Sequence, residues 1–331
     1  MRCVTSYCRR MRRGRKSDKR QVVVITGASS GIGRETARRF ARRGARVVVA
    51  SRRASALESV AAECRELGGE ALVVPTDVTD EAAVKALAAA AIAAFGRIDI
   101  WVGNAGVFAY GRFEDLPSDV FRQVIETNLM GQVHGVRAAL PHLRRQRAGT
   151  LVLVASLYSR VGSPAISPYV TSKFAVLGLA ECLRQELRGS RIRVRVVLPA
   201  TTDTPVFRHA ANYSGRKVRP LPPAVSPTRV ARAIERAPRR RRHNAFVGRM
   251  QTGTLLVHDF APRVFDALAS WQVEHIELHG SQPENSSGTV FSPPAAASPT
   301  TGGWRSRPLR GAVVGTGIVA AVALLTRRRT S

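Results

Sequence analysis

Tyr169 and Lys173 stand four positions apart in the stretch Tyr-Val-Thr-Ser-Lys, and both carry side chains that exchange protons. On a helix this spacing puts the two side chains on one face, one turn apart. A neighbouring ammonium favours the phenolate, so we expect the pKa of Tyr169 to fall from about 10 toward neutral pH. The pair would then serve as a proton donor and acceptor, although many pairs of this spacing are a packed tyrosine beside a solvated lysine.

Ser156 supplies a hydroxyl thirteen positions upstream of Tyr169, at the end of an apolar run over 151–155. Such an uninterrupted run is typical of a strand buried in a parallel sheet. Open α/β sheets bind their ligands at the carboxyl ends of their strands. The sequence therefore predicts that Ser156 lies at a ligand site.

A glycine-rich turn, Thr26-Gly-Ala-Ser-Ser-Gly-Ile-Gly33, separates an apolar run over 21–25 from a helical pattern over 34–43. Glycines let the backbone bend tightly and approach a pyrophosphate, whose charge is favoured by the free N–H groups and the dipole of a helix N-terminus. The spacing is G-x-x-x-G-x-G rather than the commoner G-x-G-x-x-G, but the turn lies between a strand and a helix. This context predicts a site for dinucleotide phosphates.

The second apolar run, over 46–50, leads into Ser51-Arg52-Arg53. An acidic residue at this point would bind the 2′-hydroxyl of the adenosine ribose of NAD. Guanidinium groups suit a 2′-phosphate instead, so Arg52 and Arg53 predict NADP(H) over NAD(H) as the cofactor. In a chain with 52 lysines and arginines, an arginine that stands here by composition alone is the competing explanation.

The remainder of this part of the chain alternates between strand and helix patterns. Further strands are predicted over 71–75, 98–102, 151–155, 192–198 and 245–248. Helical patterns lie between them, among them 80–95, which Gly96 should end, and 120–143. The alternation predicts an α/β fold with a doubly wound parallel sheet of about seven strands and helices on both faces.

Residues 21–250 resemble the classical short-chain dehydrogenase/reductase family. The resemblance rests on the order and spacing of the glycine-rich turn, Asn104-Ala-Gly106, Asn128, Ser156 and Tyr169-x-x-x-Lys173. No single motif is specific, but the set is. The family implies a Rossmann-type catalytic domain with strand order 3-2-1-4-5-6-7, a nicotinamide cofactor and assembly into homo-oligomers.

Carried over residue by residue, the resemblance implies four catalytic residues. Tyr169 would be the general acid/base, and Lys173 would bind the nicotinamide ribose and lower the pKa of Tyr169. Ser156 would hydrogen-bond the substrate oxygen as negative charge develops there, and Asn128 would hold a backbone carbonyl and a water in a proton relay. The residues expected to contact the cofactor are Gly27, Ser29, Ser30, Gly31, Ile32, Gly33, Arg52, Arg53, Asp77, Val78, Asn104, Ala105, Gly106, Tyr169, Lys173, Pro199, Thr202 and Thr204.

The chain departs from the family pattern at two positions. Gly103 stands where an asparagine commonly precedes Asn104, and Ala200 stands where a glycine commonly follows Pro199. We expect the cofactor site to tolerate both, since both are small residues. Residues 205–280 match the family only loosely, and within them 251–280 are interpreted as a helical extension near the substrate site.

The 331-residue chain has a formal net charge of +29, and much of this charge lies in arginine runs. Residues 1–20 are basic and show no apolar periodicity, so we interpret them as a disordered arm and not as a signal peptide. Arginine runs attract nucleic acids and anionic lipids, but the aromatic platforms expected of a single-strand binder are missing. No specific nucleic-acid partner is predicted.

The cysteines show neither C-x-x-C nor zinc-site spacing, and the histidines include no H-E-x-x-H motif. No metal site is therefore predicted. Cys64 and Cys182 fall in helical patterns and are expected to fill small spaces in the core. This use of cysteine indicates a reducing compartment, in agreement with a cytoplasmic location.

The composition changes in the last part of the chain. Residues 281–310 are rich in Ser, Pro, Gly and Ala and are interpreted as a linker. The uncharged run Gly311–Thr326 has Arg310 before it and Arg327–Arg329 after it, and it is a candidate membrane anchor. As a helix its sixteen residues would span about 24 Å, whereas roughly twenty residues are needed to cross a bilayer. A disordered Gly/Ala-rich tail on a cytoplasmic protein is the alternative.

These patterns predict an NADP(H)-dependent alcohol dehydrogenase or carbonyl reductase that acts on a small or lipophilic substrate. Tyr169 would move the proton while hydride passes between the nicotinamide and the carbinol carbon. The alternative from a different class is a nicotinamide-binding regulatory or scaffold protein with little turnover. The complete set of Asn128, Ser156, Tyr169 and Lys173 favours the enzyme.

Overall fold

The apolar runs of the sequence form strands because their side chains are buried on both faces of one sheet. In β1 (Val22–Thr26), the residues from Val22 to Ile25 are 0% exposed. The same holds for Val47 to Val49 in β2 (Arg46–Ser51). Burying one such side chain fully contributes about 1.5–3 kcal/mol, and a parallel strand covered by helices on both sides needs an uninterrupted apolar run.

The computed structural model describes residues 20–282, 284–294 and 299–305. Its further strands are β3 (Glu70–Pro75), β4 (Ile100–Gly103), β5 (Ala109–Tyr110), β6 (Gly149–Val154), β7 (Ile192–Pro199), β8 (Ala211–Asn212), β9 (Lys217–Val218), β10 (Asn244–Val247) and β11 (Leu278–His279). Its α-helices are α1 (Gly31–Ala41), α2 (Ala54–Glu66), α3 (Glu81–Phe95), α4 (Ser118–Ile125), α5 (Gly131–Gln146), α6 (Ser167–Glu186), α7 (Pro227–Arg236), α8 (Arg249–Phe260) and α9 (Pro262–Gln272). Short helical turns cover Glu126–Met130, Leu157–Ser159, Pro205–Phe207, Ala237–Arg239 and Val273–Glu277.

The central sheet of the described chain has seven strands in the order β10-β7-β6-β4-β1-β2-β3. Each neighbouring pair in it is parallel. Numbered along this sheet alone, the order is 3-2-1-4-5-6-7, so the doubly wound topology implied by the family resemblance is confirmed. The winding reverses between β1 and β4, and open α/β sheets bind their ligands in the crevice at such a point.

Helices cover both faces of this sheet, as predicted. On one face, a core cluster packs α1, α2 and α7 against the strands through side chains such as Phe40 and Ile234. On the other face, Leu87, Leu143 and Leu183 belong to a second cluster that packs α3, α5 and α6. The two clusters hold the carboxyl ends of the strands at one edge, where the loops carrying the predicted site residues begin.

Helix α3 begins and ends where the sequence predicts. The Asp80 side chain accepts hydrogen bonds from the backbone N–H groups of Ala82 (2.8 Å) and Ala83 (3.1 Å). These are among the donors that lack an intrahelical partner at a helix N-terminus. At the other end, Gly96 has φ of 75°, a left-handed conformation that glycine adopts at little cost.

The cysteine prediction is only half right. Cys64 is buried, but Cys182 is exposed. On α6, Ala180 and Leu183 are buried, and position 182 lies between them on the outward side of the helix. The helical pattern was therefore correct, while the face assigned to Cys182 was wrong.

Part of the segment interpreted as a linker packs against the sheet domain. We call residues 284–294 and 299–305 the C-terminal strap. Its Val290 is 0% exposed, in a cluster with Val124 of α4 and Ala211 of β8. Within the described ranges no helix is long and apolar enough to cross a bilayer. The run Gly311–Thr326 and the basic arm up to residue 19 lie outside the described residues.

Candidate active site

The glycine-rich turn joins β1 to α1 through two residues in the left-handed region. Gly27 has φ of 65° and Gly31 has φ of 52°, values that residues with a Cβ rarely adopt. At Gly33 space is the reason for glycine, because a Cβ there would collide with Gly27 O. The Ser30 side chain, at the N-cap of α1, makes no capping hydrogen bond. The turn therefore presents N–H donors of α1 to the cleft, and such donors favour an anion.

Asn104 ties the turn to the end of β4. Its Nδ2 donates to Thr26 O (3.0 Å) and Gly27 O (3.1 Å). In return, Thr26 Oγ1 accepts from the backbone N–H groups of Asn104 (3.0 Å) and Ala105 (3.2 Å). These bonds position Ala105 and Gly106, which line the cleft beside the turn.

Gly103, one of the two departures from the family pattern, makes room for Gln132 of α5. A Cβ at position 103 would collide with Gln132 Oε1, and Gln132 Nε2 donates to Gly103 O (2.9 Å). A larger residue at 103 would therefore displace a side chain that is 3% exposed. Gln132 was not predicted from the sequence, since nothing in its helical neighbourhood distinguishes it from a surface glutamine.

Ser51, Arg52 and Arg53 follow β2 and line the cleft together with Asp77 and Val78. Ser51 Oγ is buried and has no hydrogen-bond partner among the described residues. Buried hydroxyls normally have a partner, so this one is available to a ligand. A free hydroxyl beside two guanidinium groups suits the ribose and phosphate oxygens of an adenosine nucleotide. The observed residues therefore fit the adenosine end of a nicotinamide dinucleotide.

The same two arginines bond to the C-terminal strap. Arg52 Nη2 donates to Thr289 O (2.8 Å) and Arg52 Nη1 donates to Phe291 O (2.9 Å). Arg53 Nη1 donates to Pro294 O (2.8 Å). No sequence pattern indicated these contacts, which join residues more than 230 positions apart along the chain.

Asn128 is fully buried in the π-helical turn Glu126–Met130 between α4 and α5. Its Oδ1 accepts from Val107 N (2.8 Å), and its Nδ2 donates to Val107 O (3.1 Å) and Ser172 Oγ (3.1 Å). Single π-helical turns inside helices occur frequently at functional sites. The asparagine thus links the loop after β4 to α6, the helix that carries Tyr169 and Lys173.

Lys173 and Ser156 reach the cleft from α6 and from the end of β6. Lys173 Nζ donates to Val154 O (3.2 Å), and burial lowers the pKa of Lys173 to about 8. Ser156 Oγ accepts from the backbone N–H of Tyr158 (3.2 Å). The Ser156 hydroxyl also hydrogen-bonds the hydroxyl of Tyr169. The structure therefore brings together the serine, the tyrosine and the lysine that the sequence analysis selected.

The predicted fall in the pKa of Tyr169 is wrong. Burial raises the pKa of Tyr169 to about 12, and the hydrogen bond with Ser156 only partly opposes this rise. Lys173 Nζ lies 5.4 Å from the centroid of the Tyr169 ring and donates to Val154 O. The centroid of the Phe108 ring is 4.0 Å from that of Tyr169. Helical spacing places the lysine beside the tyrosine but does not show the aromatic wall that desolvates the phenol.

Most of these groups line one cavity of about 990 Å³. Gly33 and Asn128 lie behind its wall. The predicted residues that line it are Gly27, Ser29, Ser30, Gly31, Ile32, Arg52, Arg53, Asp77, Val78, Asn104, Ala105, Gly106, Ser156, Tyr169, Lys173, Pro199, Thr202 and Thr204.

The remaining part of the cavity is mainly apolar. Its lining comes from residues 205–280, including α8 and α9, and from the segment around β5. Apolar pockets with a few polar groups are typical of small-molecule sites. The side chains there are Phe108, Tyr110, Val206, Phe207, Leu221, Val257, Val264, Phe265, Leu268, Trp271 and Ile276.

Glu277 is an acidic residue in this apolar lining, and it was not predicted from the sequence. The residue is 4% exposed, and Glu277 Oε2 accepts from Tyr110 Oη at 3.4 Å. Tyr158 hydrogen-bonds the same carboxyl group. Burial raises the pKa of Glu277 to about 7, although the two phenols oppose the rise. A buried glutamate has no recognisable sequence signature, because its partners lie on segments far away along the chain.

Replacing Glu277 by glutamine should flatten the pH dependence of the free energy of unfolding. The carboxyl group binds its proton more tightly in the folded protein, with a pKa of about 7, than at its ordinary pKa of 4.5. Its contribution to stability is therefore full below pH 4.5 and is lost as the pH rises through about 7. At 1.36 kcal/mol per pKa unit the loss is about 3 kcal/mol. Urea unfolding at pH 5 and pH 8 measures it.

The wild type should lose more stability between these two pH values than Glu277→Gln does. Glu114→Gln, at an exposed glutamate, is the matched control and should keep the wild-type difference. Equal pH dependence in the wild type and Glu277→Gln would contradict the assignment of this titration to the buried carboxyl.

Comparisons with known proteins agree with this site. A family model described as short chain dehydrogenase matches residues 21–213. An uncharacterized oxidoreductase of Bacillus subtilis, YxnA, is 36% identical over 274 residues, which cover 82% of this chain and 77% of the relative. A short chain dehydrogenase/reductase from Burkholderia phymatum in complex with NAD superposes with a TM-score of 0.67 at 29% identity, covering 75% of this chain and 95% of that one. An alcohol dehydrogenase from the archaeon Thermococcus sibiricus, complexed with 5-hydroxy-NADP, gives a TM-score of 0.61 at 28% identity and covers 69% of this chain and 96% of that one.

The family match covers more than half of the chain and includes the glycine-rich turn and the segment with Ser156, Tyr169 and Lys173. The relative and the two solved structures named above are an oxidoreductase, a short chain dehydrogenase/reductase and an alcohol dehydrogenase. This chain therefore belongs to the short-chain dehydrogenase/reductase family of oxidoreductases.

Proposed function

We propose that this enzyme uses NADP(H) to interconvert an alcohol and a carbonyl on a small lipophilic substrate. The observation that carries the proposal is that Ser156, Tyr169 and Lys173 line one cavity together with the glycine-rich turn, with Lys173 Nζ 5.4 Å from the centroid of the Tyr169 ring. A nicotinamide bound there would supply or accept the hydride. The protein's own groups would bind the substrate oxygen and move its proton.

Tyr169 is the proposed general acid/base. Its pKa of about 12 keeps the phenol protonated at neutral pH, which suits a donor to the oxygen of a carbonyl that is being reduced. Ser156 is the second hydrogen-bond donor to that oxygen and stabilises its developing negative charge. Lys173, whose pKa is lowered to about 8, remains largely an ammonium at neutral pH and lowers the energy of the phenolate left after proton transfer.

Asn128 is proposed as a positioning residue. Its side chain accepts a hydrogen bond from the backbone N–H of Val107 and donates to the backbone carbonyl of Val107 and to Ser172 Oγ. It therefore fixes the loop that precedes Phe108, the aromatic ring packed on Tyr169. We further propose that Asn128 holds a backbone carbonyl and a water molecule in a proton relay.

The preference for NADP(H) over NAD(H) rests on Arg52 and Arg53. Both line the cavity after β2, no acidic residue follows that strand, and Ser51 Oγ has no partner in the described chain. A 2′-phosphate would be bound by charge-assisted hydrogen bonds from the guanidinium groups. Of the related structures, one contains NAD and another 5-hydroxy-NADP, so the fold accommodates either type and the local residues decide.

A turnover assay tests the proposed function. Purified protein with NADPH should reduce members of a carbonyl panel, with aryl and alkyl ketones favoured over hydrophilic keto acids because the substrate end of the cavity is apolar. Loss of NADPH absorbance measures the rate. NADPH binding without reduction of any carbonyl, and without NADP-dependent oxidation of the matching alcohols, would favour the nicotinamide-binding regulatory or scaffold protein instead.

Three expectations about the whole protein extend the proposal. The enzyme assembles as a homo-oligomer, it acts in the cytoplasm where NADPH is supplied, and Gly311–Thr326 tethers it to a membrane. The run is uncharged and has arginines on both sides, and long arginine side chains can extend to the headgroup region from an apolar span that is short. Fractionation of cells that express the full chain or a version ending at Pro308 tests it, and equal absence from the salt-washed membrane pellet would refute it.

A further inference from the structure

The C-terminal strap is built into the fold beside the cofactor cleft. Asn212 N donates to Ser286 O (2.7 Å), Ser286 N donates to Asn212 O (3.0 Å), and Thr289 N donates to His209 O (2.9 Å). Val290 is 0% exposed. These contacts fix the strap against β8 and the segment before it, so its position at the cleft is specified by both backbone pairing and apolar burial.

From this position, carbonyl groups of the strap bond to donors along the cleft. Arg52 donates to two strap carbonyls and Arg53 to a third. Further along, Gly31 N, the first N–H group of α1, donates to Pro299 O (3.4 Å). Carbonyl oxygens of one segment are thus bonded both to the proposed partners of the 2′-phosphate and to the helix end proposed for the pyrophosphate.

The far end of the strap is fastened beside the loop after β7. Asp203 Oδ1 accepts from Gly302 N (3.0 Å) and Trp304 N (2.8 Å), and Trp304 Nε1 donates to Thr204 O (3.0 Å). The Arg208 guanidinium lies 5.2 Å from the centroid of the Trp304 ring, at cation–π distance. Trp304 therefore anchors the strap next to Thr204, a residue of the proposed cofactor site.

We propose that the C-terminal strap is an intramolecular competitor of NADP(H), which has to displace it in order to bind. The inference rests on the cofactor proposed above. A segment that merely covers bound cofactor would leave the phosphate donors facing the cleft, whereas here strap carbonyls are within hydrogen-bond distance of them. The apparent Kd for NADP(H) is then the intrinsic Kd divided by the fraction of molecules in which the strap is open.

Two variants that loosen the anchor test the competition in the full chain. Trp304→Ala removes the indole, and Gly302→Val adds a side chain whose Cβ would collide with Thr204 O. Both leave Gly31, Arg52 and Arg53 in place. The Kd for NADPH, measured by fluorescence titration, should fall about threefold to tenfold in each, as expected when one or two hydrogen bonds of the closed form are lost.

Phe260→Ala, at an aromatic residue that is 85% exposed, is the control and should bind NADPH as the wild type does. Weaker or unchanged binding in both strap variants would overturn the competition, and weaker binding would show that the strap holds the cofactor. Absence of NADPH binding in the wild type and in both variants would instead overturn the proposed function, and the competition with it.

Chymotryptic cleavage of the wild type at Phe291 is a second measurement that needs no variant. Saturating NADPH should speed this cleavage, because the bound cofactor keeps the strap displaced. Protection by NADPH, or an unchanged rate, would overturn the proposal even if a strap variant failed to fold.

Discussion

Tyr169→Phe should lower kcat for carbonyl reduction by about 10²- to 10⁴-fold, the range typical of losing a general acid. The Kd for NADPH should stay unchanged, because the phenylalanine ring keeps the packing against Phe108 and only the hydroxyl is lost. Steady-state kinetics with the best ketone of the panel and a fluorescence titration of NADPH measure the two effects. A loss in kcat without a loss in cofactor binding separates proton transfer from site assembly.

Tyr158→Phe is the matched control for this result. Its ring lies edge-on to Tyr169 with centroids 6.3 Å apart, but its hydroxyl bonds Glu277 and Ser163. This variant should therefore retain most of the wild-type kcat. If Tyr158→Phe lost as much activity as Tyr169→Phe, or if Tyr169→Phe kept near-wild-type activity, the assignment of the proton to Tyr169 would be wrong.

The position of Tyr169 could be predicted from the sequence, whereas its electrostatics could not. Positions 169 and 173 share a helix face by geometry alone, and the apolar run over 151–155 places Ser156 at a strand end. Buried parallel strands and helix caps both depend on the local sequence. For this reason the seven-stranded sheet and both ends of α3 were predictable. The pKa of Tyr169 depends on its burial, and Phe108, whose ring packs on the phenol, belongs to a different segment of the chain.

The features that the sequence analysis missed share this dependence on distant contacts. Gln132 matters because Gly103 leaves room for it, and Glu277 matters because Tyr110 and Tyr158 surround it. The strap follows the same rule: its Ser/Pro/Gly composition suggests a linker, but backbone carbonyls are present in every sequence. Composition describes which side chains are available to pack and does not describe which carbonyl meets which arginine.

Arg52→Asp should reverse the cofactor preference. A charge-assisted hydrogen bond contributes about 1.5–3 kcal/mol, so losing it should lower kcat/KM for NADPH by about 10- to 100-fold. The new carboxylate would repel a 2′-phosphate and accept a hydrogen bond from the ribose 2′-hydroxyl of NADH. The ratio of kcat/KM for NADPH to that for NADH should therefore fall even further than the value for NADPH alone.

The ratio is the decisive quantity because Arg52 also bonds the strap. Releasing the strap would strengthen the binding of both NADPH and NADH, because both contain the pyrophosphate. This effect largely cancels in the ratio. Only NADPH has the 2′-phosphate, so a contact of Arg52 with that group changes the ratio. Arg112→Asp, at an exposed arginine that does not line the cavity, makes the same change in net charge and controls for the general field of this basic protein. It should leave the ratio near that of the wild type. An unchanged ratio in Arg52→Asp, or a wild type that already prefers NADH, would mean that Arg52 serves the strap and not a 2′-phosphate.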